Sequence, residues 1–454
     1  MMSAHLFPLR LNLWEEFFVV DDHGNYPANF MTRIRCSGTL SRELLDQALK
    51  ECVGRHPLFG CLVSRSGRRL EWELADEMPM PVEYGCQWES GEPHLRLPKK
   101  FDLFSELPWR IEVQPFCDER GRQKTDILLE VHHAVCDGLG AIQFLSDVAQ
   151  TIDARHRGQR ESLPGLDSQA LRSRGRFSQT WREVFRGLPL HYQSVLASLR
   201  MMFTRIDALV PVDSTEELLQ KSKSSLGYHR ILLSSGASSG LRRRARQRNS
   251  TVNSLVAAQL FQTLSQWQLR EGQTGKGSLR IMMPFNERDL SDRRLPACNR
   301  VSLSPFTRTR SQIQDFDRLL QSIDRGVRAI KKGRLGLNFH RGLRVCKACF
   351  GSLKTLARTD RVGATALFSN VGNLHAHLAL RFAKNGTECG PLWMEDIDLV
   401  PPLRIGTSFA MTLHEFNGQT RLGIHYDSAM LPAEQASSFF GLLEEQIVEK
   451  SCIP

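Results

Sequence analysis

Two adjacent histidines, followed four residues on by an aspartate and a glycine, mark the segment of this chain best suited to chemistry: Glu130-Val131-His132-His133-Ala134-Val135-Cys136-Asp137-Gly138-Leu139-Gly140. An imidazole with an ordinary pKa near ~6.5 takes a proton from an alcohol, amine or thiol at neutral pH, which attack on an activated carbonyl requires. Asp137 lies across a tight turn from His133, too close in sequence to be assumed the orienting member of a triad. Its expected task is to lock that turn by pairing with a cation elsewhere. Gly138 is expected to let the backbone turn without a Cβ clash.

The elements around this segment must hold it still. The two histidines end a strand expected over Asp126–His132, and the glycines turn the chain into a helix from about Leu139 to Asp153. Upstream, Phe30–Cys36 reads as a strand. A helix capped by Ser41 follows, with Leu44, Leu45, Ala48, Leu49 and Cys52 at helical spacing, and then a short strand at Phe59–Val63. Trp109–Gln114 is a further strand, joined to the histidine strand by the turn-rich residues 117–124. After residue 225 the expected elements are a strand at Tyr228, helices over Ser239–Arg248 and about 251–269, and strands at Leu279–Pro284, Val301–Phe306 and Ala366–Ser369. Ser408–Phe416 and Gln419–Tyr426 flank Asn417-Gly418, a strong two-residue hairpin signal because both positions tolerate positive φ.

The chain has 454 residues, of which 41% are hydrophobic and 24% charged. That is ordinary globular usage and excludes disorder of the whole chain. A single core stops growing near ~250–300 residues, so two lobes are expected. We place them at 1–175 and 226–454, joined by a basic connector at 176–225. Arg10, Glu15 and Glu16 interrupt the apolar start, unlike a secretory signal, and no window reads as a membrane span. Eleven cysteines, an odd number, suggest reduced thiols and not a disulfide framework. Cys346 and Cys349 read as two helical thiols one turn apart, and no metal site is expected. A soluble cytoplasmic protein is the expectation.

The histidine segment resembles the His-His-x-x-x-Asp-Gly motif of the thioester-dependent acyltransferase superfamily, which includes nonribosomal-peptide condensation domains, polyketide-associated acyltransferases, alcohol acetyltransferases and chloramphenicol acetyltransferase. Other segments are similar in the same order: Arg55-His56-Pro57-Leu58 after the first helix, Pro108-Trp109-Arg110 before the motif strand, and Thr251-Val252-Asn253. They continue with Pro284-Phe285-Asn286-Glu287-Arg288, Asn299-Arg300-Val301 and Ser369-Asn370-Val371-Gly372. The Asp-Phe-Gly-Trp-Gly signature of the plant branch is absent. The resemblance implies an α/β fold of two chloramphenicol acetyltransferase-like lobes, each a mixed sheet flanked by helices, with the active-site channel at their interface. It implies His133 as general base, His132 as a buried support for it, and an Asp137–Arg288 pair holding the motif loop on the second lobe. Asn370, with Ser369, is implied as the group that stabilises the oxyanion or positions the acceptor, and Cys136 as an inert packed thiol. No cofactor is tightly bound on this reading. An acyl group would arrive on coenzyme A or on a separate phosphopantetheinyl carrier protein and leave on a hydroxyl or amine acceptor. The expected state is a monomer.

The net charge of +11 asks for rival explanations. Residues 325–361 hold eleven cations against Asp360, and Arg242–Arg244, Arg246 and Arg248 form a dense basic helix face. Nucleic acid is one rival ligand, but no helix-turn-helix, aromatic ribonucleoprotein strand or zinc pattern accompanies these residues. The other rival is a non-catalytic, condensation-like docking module for carrier proteins. Gly272-Gln273-Thr274-Gly275-Lys276 fails the spacing of a phosphate loop. The basic, apolar stretch 181–206 leaves peripheral membrane contact open, with packing on its own protein the expected alternative.

Overall fold

A computed structural model describes residues 4–452 except 76–77, 86–88, 91–94, 160–162, 178–203, 210–225, 273–276, 290–291, 293, 355–362, 379–380 and 384–385. Most of the expected connector 176–225, nearly all of the 181–206 stretch and the centre of the phosphate-loop lookalike therefore lie outside the described residues.

The first half runs α1 (Leu13–Val20), β1 (Asn29–Ser37), α2 (Arg42–Arg55), β2 (Cys61–Ser66), β3 (Arg69–Leu74), β4 (Trp109–Cys117), β5 (Gln123–His132) and α3 (Gly138–His156). The second runs β6 (Leu226–Leu232), α4 (Ser235–Gln247), α5 (Val252–Arg270), β7 (Leu279–Asn286), β8 (Val301–Arg308), α6 (Phe316–Gly333) and α7 (Leu337–Phe350). It closes with β9 (Ala366–Asn373), β10 (Leu392–Val400), β11 (Phe409–Phe416), β12 (Gln419–Asp427) and α8 (Ala433–Cys452). Local chemistry accounts for many of the ends. The Ser41 side chain accepts from the Leu44 amide and Thr251 from Ser254, so α2 and α5 begin where their caps stand. The strand expected at Phe59–Val63 starts late, because Pro57 initiates a 3-10 turn over Pro57–Gly60 and pairing begins at Cys61. Asn417 and Gly418 take φ of 51° and 73°, as a tight hairpin between β11 and β12 requires.

Two large mixed sheets result. The first is eight-stranded and contains β10, β1, β5 and β4 as successive neighbours, all antiparallel; Gly386–Cys389 and Arg381–Ala383 extend it beyond β10. The second is six-stranded in the order β8-β7-β9-β11-β12-β6, with β9 parallel to both its neighbours. Each has its own core. Leu45, Leu49, Trp109, Val131 and Phe144 are buried in one, and Leu255, Phe261, Ile281, Phe409 and Phe439 in the other.

The strands do not divide at one point along the chain. Residues 381–400 belong to the second half of the sequence but complete the first sheet beside β1. β10 is also the seam between the sheets. The Leu399 carbonyl accepts from Thr412 Oγ1 at 3.0 Å, and the Ile397 carbonyl lies 2.9 Å from His414 Nε2. Gly423 makes this approach possible, since a Cβ there would stand 2.2 Å from the Leu399 carbonyl oxygen. Buried and half-buried charges close the seam: Asp398 pairs with Arg33 of β1 and Arg230 of β6, and Asp396 with Arg230 and with Arg421 of β12.

Candidate active site

β5 ends on the two histidines, and both are fixed from the backbone outward. His132 donates its amide to the Pro108 carbonyl at 2.8 Å, and His133 to the Ala28 carbonyl at 2.7 Å. Alternation along the strand then sends the two rings to opposite sides. The His132 ring is fully buried; its Nδ1 accepts from the Ala134 amide at 3.1 Å, and its Nε2 faces Asp22 Oδ2 at 3.8 Å. Burial alone would raise the Asp22 carboxyl. The His132 ring, the Ala28 amide and Lys100 together hold it below the ordinary value.

The His133 ring is half-buried. Phe18 of α1 stacks on its face, with centroids 4.1 Å apart and planes 11° from parallel, and Phe30 meets it edge-on at 5.2 Å. Its Nδ1 lies 3.2 Å from Asn299 Oδ1. Burial pushes the imidazole down to about 4, against the opposing pull of Asp137 and of hydrogen bonding to its own carbonyl and Asn299. The ring is therefore neutral at pH 7.

Asp137 caps α3 and ties it to the second half. Its Oδ1 accepts from the Gly140 amide and from Arg288 Nη2, its Oδ2 from Arg288 Nη1 and the Arg300 amide, each at 2.8 Å. Burial works to raise this carboxyl, but Arg288 and the two amides hold it below its usual range. Arg288 is itself shaped by Asn286, whose Oδ1 accepts from the Arg288 amide at 3.0 Å, and it donates to the Cys298 carbonyl at 2.9 Å.

The expected reason for a glycine at 138 does not hold. A Cβ there would meet nothing within 4 Å, and Gly138 has no positive φ. The sterically demanding position is Gly140, where a Cβ would lie 2.8 Å from Cys136 Cβ and 3.1 Å from the Cys298 carbonyl oxygen. The glycine that the close approach requires is thus two residues further on. The 294–299 segment packs here because side chains of the first half bind its backbone. Arg55 donates to the Arg294 carbonyl at 2.9 Å and Gln143 to the Leu295 carbonyl at 2.9 Å, while His56 Nδ1 accepts from the Ala297 amide at 2.8 Å. His56 Nε2 in turn lies 2.8 Å from Asp147.

Ser369 and Asn370 stand on β9 in the second sheet, both half-buried. Asn370 Oδ1 accepts from the Gly372 amide at 2.9 Å, which leaves its NH2 group as donor, and the β9–β11 register slips at this point. Val371 packs against the first core. Among the described residues no hydrogen bond or ring contact joins Ser369 or Asn370 to His133, so the structure brings His132, His133, Asp137, Gly138 and Arg288 together and leaves these two on the facing sheet.

Cys136 is buried and its thiol is pushed far up by burial, Cys346 and Cys349 lie on α7 as free thiols, and no metal-binding cluster occurs among the described residues. The basic face of α4 is largely used internally: Arg244 donates to the Ile447 carbonyl, Arg242 pairs with Glu415 and Arg248 with Asp317. On α6 and α7, Arg325, Arg328, Lys331, Lys332, Arg341 and Arg344 are exposed. No described helix is long and apolar enough to cross a membrane.

Two residues at His133 carried no assigned role in the sequence reading. Asn299 was visible only as part of a matching element. Phe18 belongs to α1, whose capping box, Asn12 with Glu15, is the signal in the sequence that marks it. α1 is held at both ends: Glu15 receives Arg174 and Trp72 Nε1 in a buried cluster, and Arg404 makes a forked pair with Asp21. Trp14 and Phe17 pack against Phe339 of α7.

No family model matches the chain. Over 133 residues, 26% of its length, it is 32% identical to a siderophore peptide synthetase of Mycosarcoma maydis, and the match spans only 3% of that synthetase. Solved structures resemble it over almost its whole length. The first condensation domain of the calcium-dependent antibiotic synthetase aligns with a TM-score of 0.68 at 12% identity, covering 98% of this chain and 96% of that one. The trichothecene 15-O-acetyltransferase of Fusarium sporotrichioides aligns with a TM-score of 0.66 at 12% identity, covering 97% and 95%. The fold is therefore the two-lobed architecture of condensation domains and chloramphenicol acetyltransferase-like acyltransferases.

Proposed function

We propose that this protein is an acyltransferase that moves an acyl group from a thioester to a hydroxyl or amine, with His133 as general base. The carrying observation is an imidazole at the end of β5, fixed by its backbone and by Asn299, beside an Asp137–Arg288 pair that joins the two halves of the chain. In the reaction the acceptor's O–H or N–H bond breaks, its proton passes to His133, and the new bond forms at the acyl carbon. The C–S bond then breaks, and the departing thiolate takes the proton back from the imidazolium. No enzyme-bound acyl group is needed.

His132 supports the strand end on which His133 stands, and Asp137 with Arg288 holds the motif loop. Asn370, with Ser369, is proposed to meet the oxyanion or the acceptor from the facing sheet. Coenzyme A or a phosphopantetheinyl carrier protein is the proposed donor, and the exposed cations of α6 and α7 suit an acidic or phosphorylated one. The test is acceptor-dependent release of free thiol from an acyl thioester by the purified protein. His133→Ala is expected to abolish release, whereas thioester binding without turnover by the unaltered protein favours the docking-module reading instead.

A further inference from the structure

We propose that the outer face of α7 docks this protein on an anionic membrane surface, with Arg341, Arg344 and Lys354 meeting lipid phosphates while Val345 and Phe350 enter the apolar layer beneath. The inference goes beyond the acyl-transfer reading and does not depend on it.

α7 is buried on one side only. Leu337, His340 and Leu343 face inward, and Leu343 joins Trp14, Phe17 and Leu353 in a small core against α1. The outward residues Arg341, Arg344, Val345, Ala348 and Cys349 follow at three- and four-residue spacing, and all are exposed. Val345 is 60% exposed and Phe350, at the end of the helix, 63%. The other large hydrophobic side chains exposed among the described residues, Phe104, Leu232 and Leu269, lie singly on other elements, which is ordinary for a protein surface. Two on one helix, flanked by cations, mark a contact surface.

Charge selects the occupant. Residues 325–354 contain no aspartate or glutamate. Lys331 and Lys332 at the end of α6 and Lys354 just past α7 are exposed as well. Anionic lipid attracts such cations by ~1 kcal/mol each within a Debye length of the surface. A nucleic acid or a soluble phosphorylated donor satisfies the same cations but leaves Val345 and Phe350 in water, whereas a bilayer rewards both features. At 14 residues α7 is too short to span a membrane, so it lies along the interface. Ring contacts link it inward to the site: Phe339 meets Trp14 at 5.0 Å, Trp14 meets Phe18 at 4.8 Å, and Phe18 stacks on His133. A docked α7 thus holds the His133 side of the molecule towards the bilayer.

The experiment is co-sedimentation of the purified protein with vesicles of phosphatidylcholine alone, and of phosphatidylcholine mixed roughly three to one with phosphatidylglycerol, in about 0.1 M salt. Binding to the mixed vesicles only is expected. Arg344→Ala with Lys354→Ala is expected to weaken it about 30-fold, from ~1 kcal/mol per cation. Val345→Ser with Phe350→Ser keeps every charge and is expected to weaken it about 10-fold. All four side chains are on the surface, so both variants are expected to keep the wild-type urea midpoint. Equal binding to neutral vesicles, binding to neither kind, or mixed-vesicle binding that the Val345→Ser, Phe350→Ser variant retains in full overturns the proposal. Binding to an oligonucleotide with none to vesicles overturns it too, and assigns the cations to nucleic acid. Acyl transfer enters none of these readouts, so each reading can fail without the other.

Discussion

His133, the proposed base, is kept uncharged. Burial among Phe18, Phe30 and the strand end pushes its imidazole to about 4, so its neutral fraction is essentially complete at neutral pH. The kcat/KM profile is accordingly expected to be level between pH 6 and 8 on the acid side; a limb with an apparent pKa near ~6.5 contradicts this placement. The Asp137–Arg288 pair makes a stability prediction. Arg288→Ala leaves a buried carboxylate with only two amide donors, and loss of one partner from such a pair costs ~3–5 kcal/mol. Urea unfolding followed by circular dichroism measures it, and a loss below ~1 kcal/mol means the pair is more solvated than it stands here. Asn370→Ala is expected to lower kcat by ~10²–10³-fold if its amide meets the developing oxyanion, with the unfolding midpoint lowered only by loss of the bond from the Gly372 amide, about 1 kcal/mol.

The motif turn separates two glycines that look alike in sequence. Gly140→Ala drives a Cβ into Cys136 and the Cys298 carbonyl, an overpacking cost of ~1–3 kcal/mol, whereas Gly138→Ala enters open space and is expected to leave the melting temperature within a degree or two. Equal effects at both positions would show that the loop yields. The same turn shows what was legible beforehand. Caps and alternation placed α2, α3, α5 and the β11–β12 hairpin, because those signals are local. β10 is hard to read in the sequence because adjacent Glu395 and Asp396, at a bulge, break its alternation, while the partners of its acids, Lys124, Arg33, Arg230 and Arg421, come from distant segments. The motif residues stood out by type and spacing. Asn299 and Phe18 did not, for their meaning depends on packing between segments more than a hundred residues apart.

For the molecule as a whole, acid acts on stability before it acts on the base. His133, His340, His414 and His425 are all held near 4 by burial. Their folded pKa values lie below the unfolded value near ~6.5, so the unfolded chain binds more protons between the two. Stability from these groups is full above ~6.5 and is lost as pH falls towards 4, by up to roughly 1.4 kcal/mol per pH unit for each. Urea midpoints measured from pH 7.5 to 5 are expected to fall steadily; a flat series refutes it. The position of β10 carries a further consequence, for synthesis on the ribosome. β1 is an interior strand flanked by β5 and β10, but during translation its second partner, β10, emerges some 360 residues after it. Until Val400 is made, the side of β1 from Met31 to Ser37 is an unpaired edge, the kind of surface on which nascent chains associate. A fragment ending before residue 380 is therefore expected to aggregate in cell-free translation and to be rescued by supplying the 381–400 segment.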